Sequence, residues 1–97
     1  MTGNDHSRLH AVVKGRVQGV GFRAFVYQKA NEIGLTGWVR NRWDGTVEVL
    51  AEGQHPALNR FIVTLKRGPR SAMVTAVDIK WQTATGEFNH FTVKSTT

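Results

Sequence analysis

Apolar and polar positions alternate through residues 8–14, with Leu9, Ala11 and Val13 on one side of an extended chain and His10, Val12 and Lys14 on the other. A period of two predicts a strand with one buried face. From Phe22 the period changes: Phe22, Phe25, Val26, Ala30 and Ile33 are spaced by three and four, which puts them on one face of a helix with Gly34 as its C′ residue. Residues 55–67 repeat this pattern with Leu58, Phe61, Ile62 and Leu65. Pro56 suits the first turn of that helix, Lys66 and Arg67 its last, and Gly68-Pro69 its stop. Within residues 74–82, Val77, Ile79 and Trp81 alternate against Asp78, Lys80 and Gln82, and Phe91 and Val93 mark a short last strand over residues 89–94. Residues 83–87 make the connecting turn.

Between the helices, residues 36–43 and 46–53 read as two strands around Asp44-Gly45. A two-residue turn there pairs Arg42 with Val47 and Arg40 with Val49, mixing charged and apolar side chains on one face. A three-residue loop, Trp43-Asp44-Gly45 with Gly45 left-handed, pairs Asn41 with Val47, Arg40 with Glu48, and Val39 with Val49. Val39, Val47 and Val49 then share the core face, and the Arg40–Glu48 pair on the other contributes about 0.2–1 kcal/mol. The order strand, helix, strand, strand, helix, strand, with a short final strand, predicts an α+β fold, the ferredoxin-like α/β plait: an antiparallel-rich sheet with two helices on one face. Residues 8–97 are expected to form a single domain behind a flexible N-terminal leader, residues 1–7.

The connection between the first strand and the first helix is Gly15-Arg16-Val17-Gln18-Gly19-Val20-Gly21-Phe22-Arg23. Three glycines in seven positions let the backbone turn sharply and aim several N–H groups at one point. No Ser, Thr, Asp or Asn lies within residues 17–21 to cap the helix, and its first turn carries Arg23 rather than an acid. A bound phosphate or sulfate accounts for both features. No Lys-Ser/Thr follows the last glycine and the spacing is not G-x-G-x-x-G, so nucleoside triphosphate and dinucleotide sites are not indicated. In the plait the first and second strands run parallel, which brings the glycine loop, Arg23 and Asn41 together at one end of the sheet.

Composition narrows the partners. The 97-residue chain carries 13 Lys and Arg against 7 Asp and Glu, a formal charge of +6, which favours anionic ligands. The basic residues are scattered rather than gathered in an arm. Cysteine is absent, so thiol nucleophiles, disulfides and thiolate metal sites are excluded. No apolar run approaches a membrane span and the first seven residues lack a secretory apolar core, so a cytoplasmic protein with no membrane contact is expected. His6, His10, His55 and His90 lack ligand spacing, and no metal or other cofactor is expected. The alternative is a nucleic-acid-binding plait, but residues 46–52 hold no aromatic and two acids where an RNA-recognition strand presents stacking rings, so nucleic acid is not an expected partner.

Over residues 9–93 the chain resembles the acylphosphatase family. The glycine segment, residues 15–23, is similar to the family's first signature, and Gly37-Trp38-Val39-Arg40-Asn41 with Gly45, Val47 and Gly53 is similar to its second. The resemblance implies hydrolysis of acyl phosphates to carboxylate and phosphate, no metal, and Arg23 and Asn41 as the catalytic pair. Arg16, Val17, Gln18, Gly19, Val20, Gly21 and Phe22 form the expected phosphate-binding loop, Arg16 with its own charge in solvent. The expected partner is a small-molecule acyl phosphate bound by a monomer, with phosphate or sulfate as inhibitor. Residue chemistry agrees: a guanidinium fork matches two phosphate oxygens, a carboxamide can orient water, and a carboxylate leaving group needs no general acid.

Overall fold

The computed structural model describes residues 5–97 and runs β1 (His6–Arg16), α1 (Phe22–Ile33), β2 (Thr36–Asn41), β3 (Val47–Gln54), α2 (His55–Arg67), β4 (Met73–Thr83) and β5 (Phe91–Val93). The strands form one sheet in the order β4-β1-β3-β2-β5, antiparallel except where β5 runs parallel to β2. This is the expected ferredoxin-like plait. Leu9, Ala11 and Val13 of β1, Val39 of β2, and Val47, Val49 and Ala51 of β3 are buried in one core with Phe22, Val26 and Ala30 of α1 and Leu58, Phe61 and Leu65 of α2. Each large side chain so buried stabilises the fold by about 1.5–3 kcal/mol relative to exposure. Both helices adopt the bounds that their periodicity predicts.

The hairpin adopts the three-residue loop. Asn41 faces Val47, Arg40 faces Glu48, and Val39 faces Val49. The Arg42 N–H donates to Thr46 O at 2.9 Å, the Gly45 N–H donates to Arg42 O at 3.1 Å, and Gly45 has φ 91°. Because Arg42 and Thr46 close that loop, β2 and β3 are shorter at this end than the alternation suggested.

Both ends of β1 also differ from the sequence reading. β1 begins before residue 8: His6 and Ser7 pair with Gln54 and Gly53, and the His55 N–H donates to Asp5 O at 3.0 Å. Polar side chains hide this extension from a hydrophobic pattern, although the backbone ladder is available to them. Residues 1–4 of the expected leader lie outside the described residues. At its other end β1 runs on through Gly15 and Arg16, which pair with Val74 and Met73 across a bulge at Lys14/Gly15. Gly15 therefore belongs to the sheet. Its φ is 124° and a Cβ there would lie 2.1 Å from Met73 O, so only glycine fits the bulge.

β4 is an edge strand, and this limits burial on it. Val77 and Ile79 face the core side but are only partly covered, and Trp81 is 42% exposed, stacked on His55 at 4.2 Å. Among the described residues, no helix is long and apolar enough to cross a membrane.

Candidate active site

β1 and β2 run the same way on either side of β3, so both deliver their C-terminal ends to one end of the sheet. A cleft of about 350 Å³ opens there. Val17, Gly19 and Gly21 of the loop line it, with Phe22, Arg23 and Ala24 from the first turn of α1, Asn41 from the end of β2, and Val93 from β5. The structure thus brings Arg23 and Asn41, far apart in sequence, to one cavity.

The loop turns on left-handed glycines. Gly19 and Gly21 have φ of 73° and 79°, and a Cβ at either would meet nothing within 4 Å. Left-handed backbone, not crowding, is what requires glycine at these positions. Gly21 caps α1 without a side-chain hydrogen bond, and the helix has no acid in its first turn. The first intrahelical bond runs from the Phe25 N–H to Gly21 O at 3.0 Å, leaving the N–H groups before it to acceptors outside the helix. Among the described residues no carboxylate forms an ion pair with Arg23, which is partly buried at the cleft wall. Positive potential from the helix terminus and the guanidinium is therefore uncompensated there.

Asn41 supplies the second unusual feature. Its Oδ1 is buried and, alone among buried side-chain polar atoms of the described residues, has no hydrogen-bond partner. Leaving such an acceptor unsatisfied costs about 1–3 kcal/mol. The cleft thus gathers loop backbone, a guanidinium and a carboxamide.

The remaining loop residues take other places. Arg16 ends β1 opposite Met73 with its side chain exposed, as expected of a solvated charge. Val20 packs against the core, and its carbonyl accepts a hydrogen bond from Ser71 Oγ at 2.9 Å. Gln18 is not in the cleft lining; its Nε2 donates to Arg42 O at 2.7 Å and Thr46 O at 2.8 Å. Thr46 supports the hairpin: its N–H and Oγ1 both donate to Asp44 Oδ1, and the hydroxyl bond chiefly holds the Asp44 carboxyl below the usual range.

Sequence reasoning missed Val93, Ala24 and Ser71. The parallel register of β5 on β2, with Val93 facing Val39, delivers Val93, and no local signal announces that pairing. Among the described residues no three His, Cys, Asp or Glu side chains gather as a metal-binding set. The nucleic-acid alternative is not favoured. On the sheet face away from the helices, Trp38 is 9% exposed, with the Arg40 guanidinium 4.6 Å and the Lys94 ammonium 4.8 Å from its ring centre. A ring so covered offers no stacking platform.

Comparison with known proteins agrees with the geometry. The acylphosphatase family model matches residues 9–93. The acylphosphatase of Thermus thermophilus is 58% identical over 74 residues, 76% of this chain and 84% of that one. The acylphosphatase of Methylococcus capsulatus is 49% identical over 86 residues, 89% of this chain and 94% of its own length. The crystal structure of acylphosphatase from Bacillus subtilis superposes with a TM-score of 0.88 at 40% identity, covering 91% of this chain and 98% of that one. Likeness of that extent in sequence and backbone alike means that this chain belongs to the acylphosphatase family.

Proposed function

We propose that the protein hydrolyses acyl phosphates, mixed anhydrides of a carboxylic acid and phosphoric acid, to carboxylate and phosphate by in-line attack of water without a metal. The observation that carries the assignment of residues is the buried, unpartnered Asn41 Oδ1 in the same cleft as Arg23. A buried acceptor left open in the resting protein is suited to hold a water that arrives with the substrate.

Loop amides and the Arg23 guanidinium bind the phosphoryl oxygens, on which charge develops as transfer proceeds. Arg suits this role better than Lys because its planar fork contacts two oxygens. Asn41 accepts a hydrogen bond from water through Oδ1 and donates through Nδ2 to the substrate, aligning the attack. The water oxygen bonds to phosphorus as the phosphorus–acyl oxygen bond breaks, the electron pair leaves with the carboxylate, and a phosphate oxygen takes the water's proton. The leaving group is a weak base, which fits a cleft lined, among the described residues, by no His, Asp or Glu. This chain itself supplies the loop, Arg23 and Asn41 that the reading uses, and we take the working form to be a monomer. A cysteine-free chain suits the reducing cytoplasm, where we place it.

An assay with benzoyl phosphate in the presence of a chelator tests this reading. The expected result is turnover indifferent to the chelator, with phosphate and sulfate as competitive inhibitors. Arg23→Ala chiefly raises KM and Asn41→Ala chiefly lowers kcat. Parental activity in either variant would overturn the assignment.

A further inference from the structure

We propose that Gln18, although it lies within the phosphate-binding loop, is not a ligand of the substrate but a positioning residue that sets Asn41 against the cradle. Its carboxamide spends both N–H donors on the neck of the hairpin, at Arg42 O (2.7 Å) and Thr46 O (2.8 Å). Arg42 directly follows Asn41, so the first of these bonds fixes the Arg42–Trp43 peptide, one unit beyond the peptide that joins the water-orienting residue to Arg42. The second binds the opposite limb, where Thr46 O already accepts the Arg42 N–H. One side chain from the loop thereby joins the phosphate-holding segment to the strand end that carries Asn41.

The cradle has its own anchors. Ser71 Oγ holds the Val20 carbonyl at 2.9 Å and Gly21 leads straight into α1. Loss of the Gln18 amide therefore unties the Asn41 end from the loop, leaving it only its own backbone bonds, from the Thr97 N–H to Asn41 O at 3.1 Å and across to β3, while the anion-holding backbone stays in place. Catalysis is far more sensitive than binding to such a shift, since about 1 Å of misplacement can cost about 10²-fold in rate.

The inference rests on the reading of Arg23 and Asn41 given above, and its test separates the two. Steady-state kinetics with benzoyl phosphate are measured for wild type, Gln18→Ala, Asn41→Ala and the double variant, with phosphate binding followed by calorimetry. Gln18→Ala is expected to lower kcat by about 10- to 100-fold, with KM and phosphate affinity within about threefold of wild type. In the Asn41→Ala background the same change is expected to cost less than about twofold, because a residue acting through Asn41 has nothing left to position. Gln18→Met, of similar length but without a donor, should match Gln18→Ala and guards against a packing defect or a variant that fails to fold. An active wild type with unchanged kcat in the Gln18 variants, an equal loss in both backgrounds, or weakened phosphate binding with kcat intact would overturn the inference. A wild type that does not turn over benzoyl phosphate removes the reading beneath it.

Discussion

The two ends of the sheet treat buried polarity in opposite ways. At the end away from the cleft, Glu52 is 4% exposed, the one fully buried charged residue among those described. Its Oε2 accepts from Arg8 Nε at 2.6 Å and from the Thr85 N–H at 2.9 Å and hydroxyl at 3.1 Å, and its Oε1 accepts from the Gly86 N–H at 3.0 Å. Arg8 also bonds Glu87 and lies over the Phe88 ring, so this cluster fastens the β4–β5 connection to the sheet. Asn41, facing Val47 five positions earlier on β3, lies about 17 Å away by strand rise. There a buried acceptor has no partner and an arginine has no counter-ion among the described residues. Polar groups that hold the fold are paired at once. Those proposed to do chemistry wait for substrate and water.

The contrast can be broken most forcefully at Asn41. Asn41→Ala is expected to lower kcat by about 10²–10³-fold without lowering the melting temperature, since the variant loses an orphan acceptor rather than a bond. A marked drop in stability with near-normal turnover would make Asn41 a structural residue. Glu52→Ala should behave in the opposite sense, losing about 3 kcal/mol of stability because Arg8 is left beside an empty site, while kcat stays within about twofold. Urea denaturation and benzoyl phosphate kinetics on the same samples check both.

Acid sharpens the comparison further. Burial pushes the Glu52 carboxyl up, but the Thr85 N–H, Arg8 and the Gly86 N–H outweigh it and hold it below the usual range. Glu48 is lowered likewise: burial raises it, and hydrogen bonds with His10 and Arg40 prevail. Carboxyls depressed in the folded state contribute stability that is complete above their unfolded value of about 4.5 and is lost as pH falls through the lower folded one. Urea midpoints should therefore be level with respect to these groups above about pH 5 and decline below it. Among the described residues no titratable carboxyl or imidazole lines the cleft, so turnover should show no two-limbed bell between about pH 5 and 8. A bell in that range would reveal a general base. The smallest expected effect is from phosphate itself, which at about ten times its Kd should stabilise the fold by about 1.4 kcal/mol. That gain should vanish in Arg23→Ala and persist in Glu52→Ala, as melting curves with and without phosphate would show.

Much of the site was legible because its signals are local. Gly19 and Gly21 stand where left-handed backbone is needed, Arg23 sits in an uncapped first turn, and the alternation of Val39, Val47 and Val49 admits one hairpin register. Gln18 could not be placed in that way. Its partners are carbonyls 24 and 28 residues away, and a side-chain direction leaves no trace in periodicity. Arg8, Glu52 and Thr85 were hidden for the same reason: each reads as an ordinary polar position on a strand or in a loop until the strands align.

The chain alone determined the elements, the hairpin register and the left-handed glycine turn before α1, because each depends on neighbours within a few residues and on which face must leave water. Only the folded chain decided that β5 lies parallel to β2 and brings Val93 to the cleft, that Glu52 is enclosed by donors, and that Asn41 Oδ1 is enclosed by none. Whether a polar group is satisfied depends on distances between atoms from distant segments, and those distances exist only once the sheet has assembled.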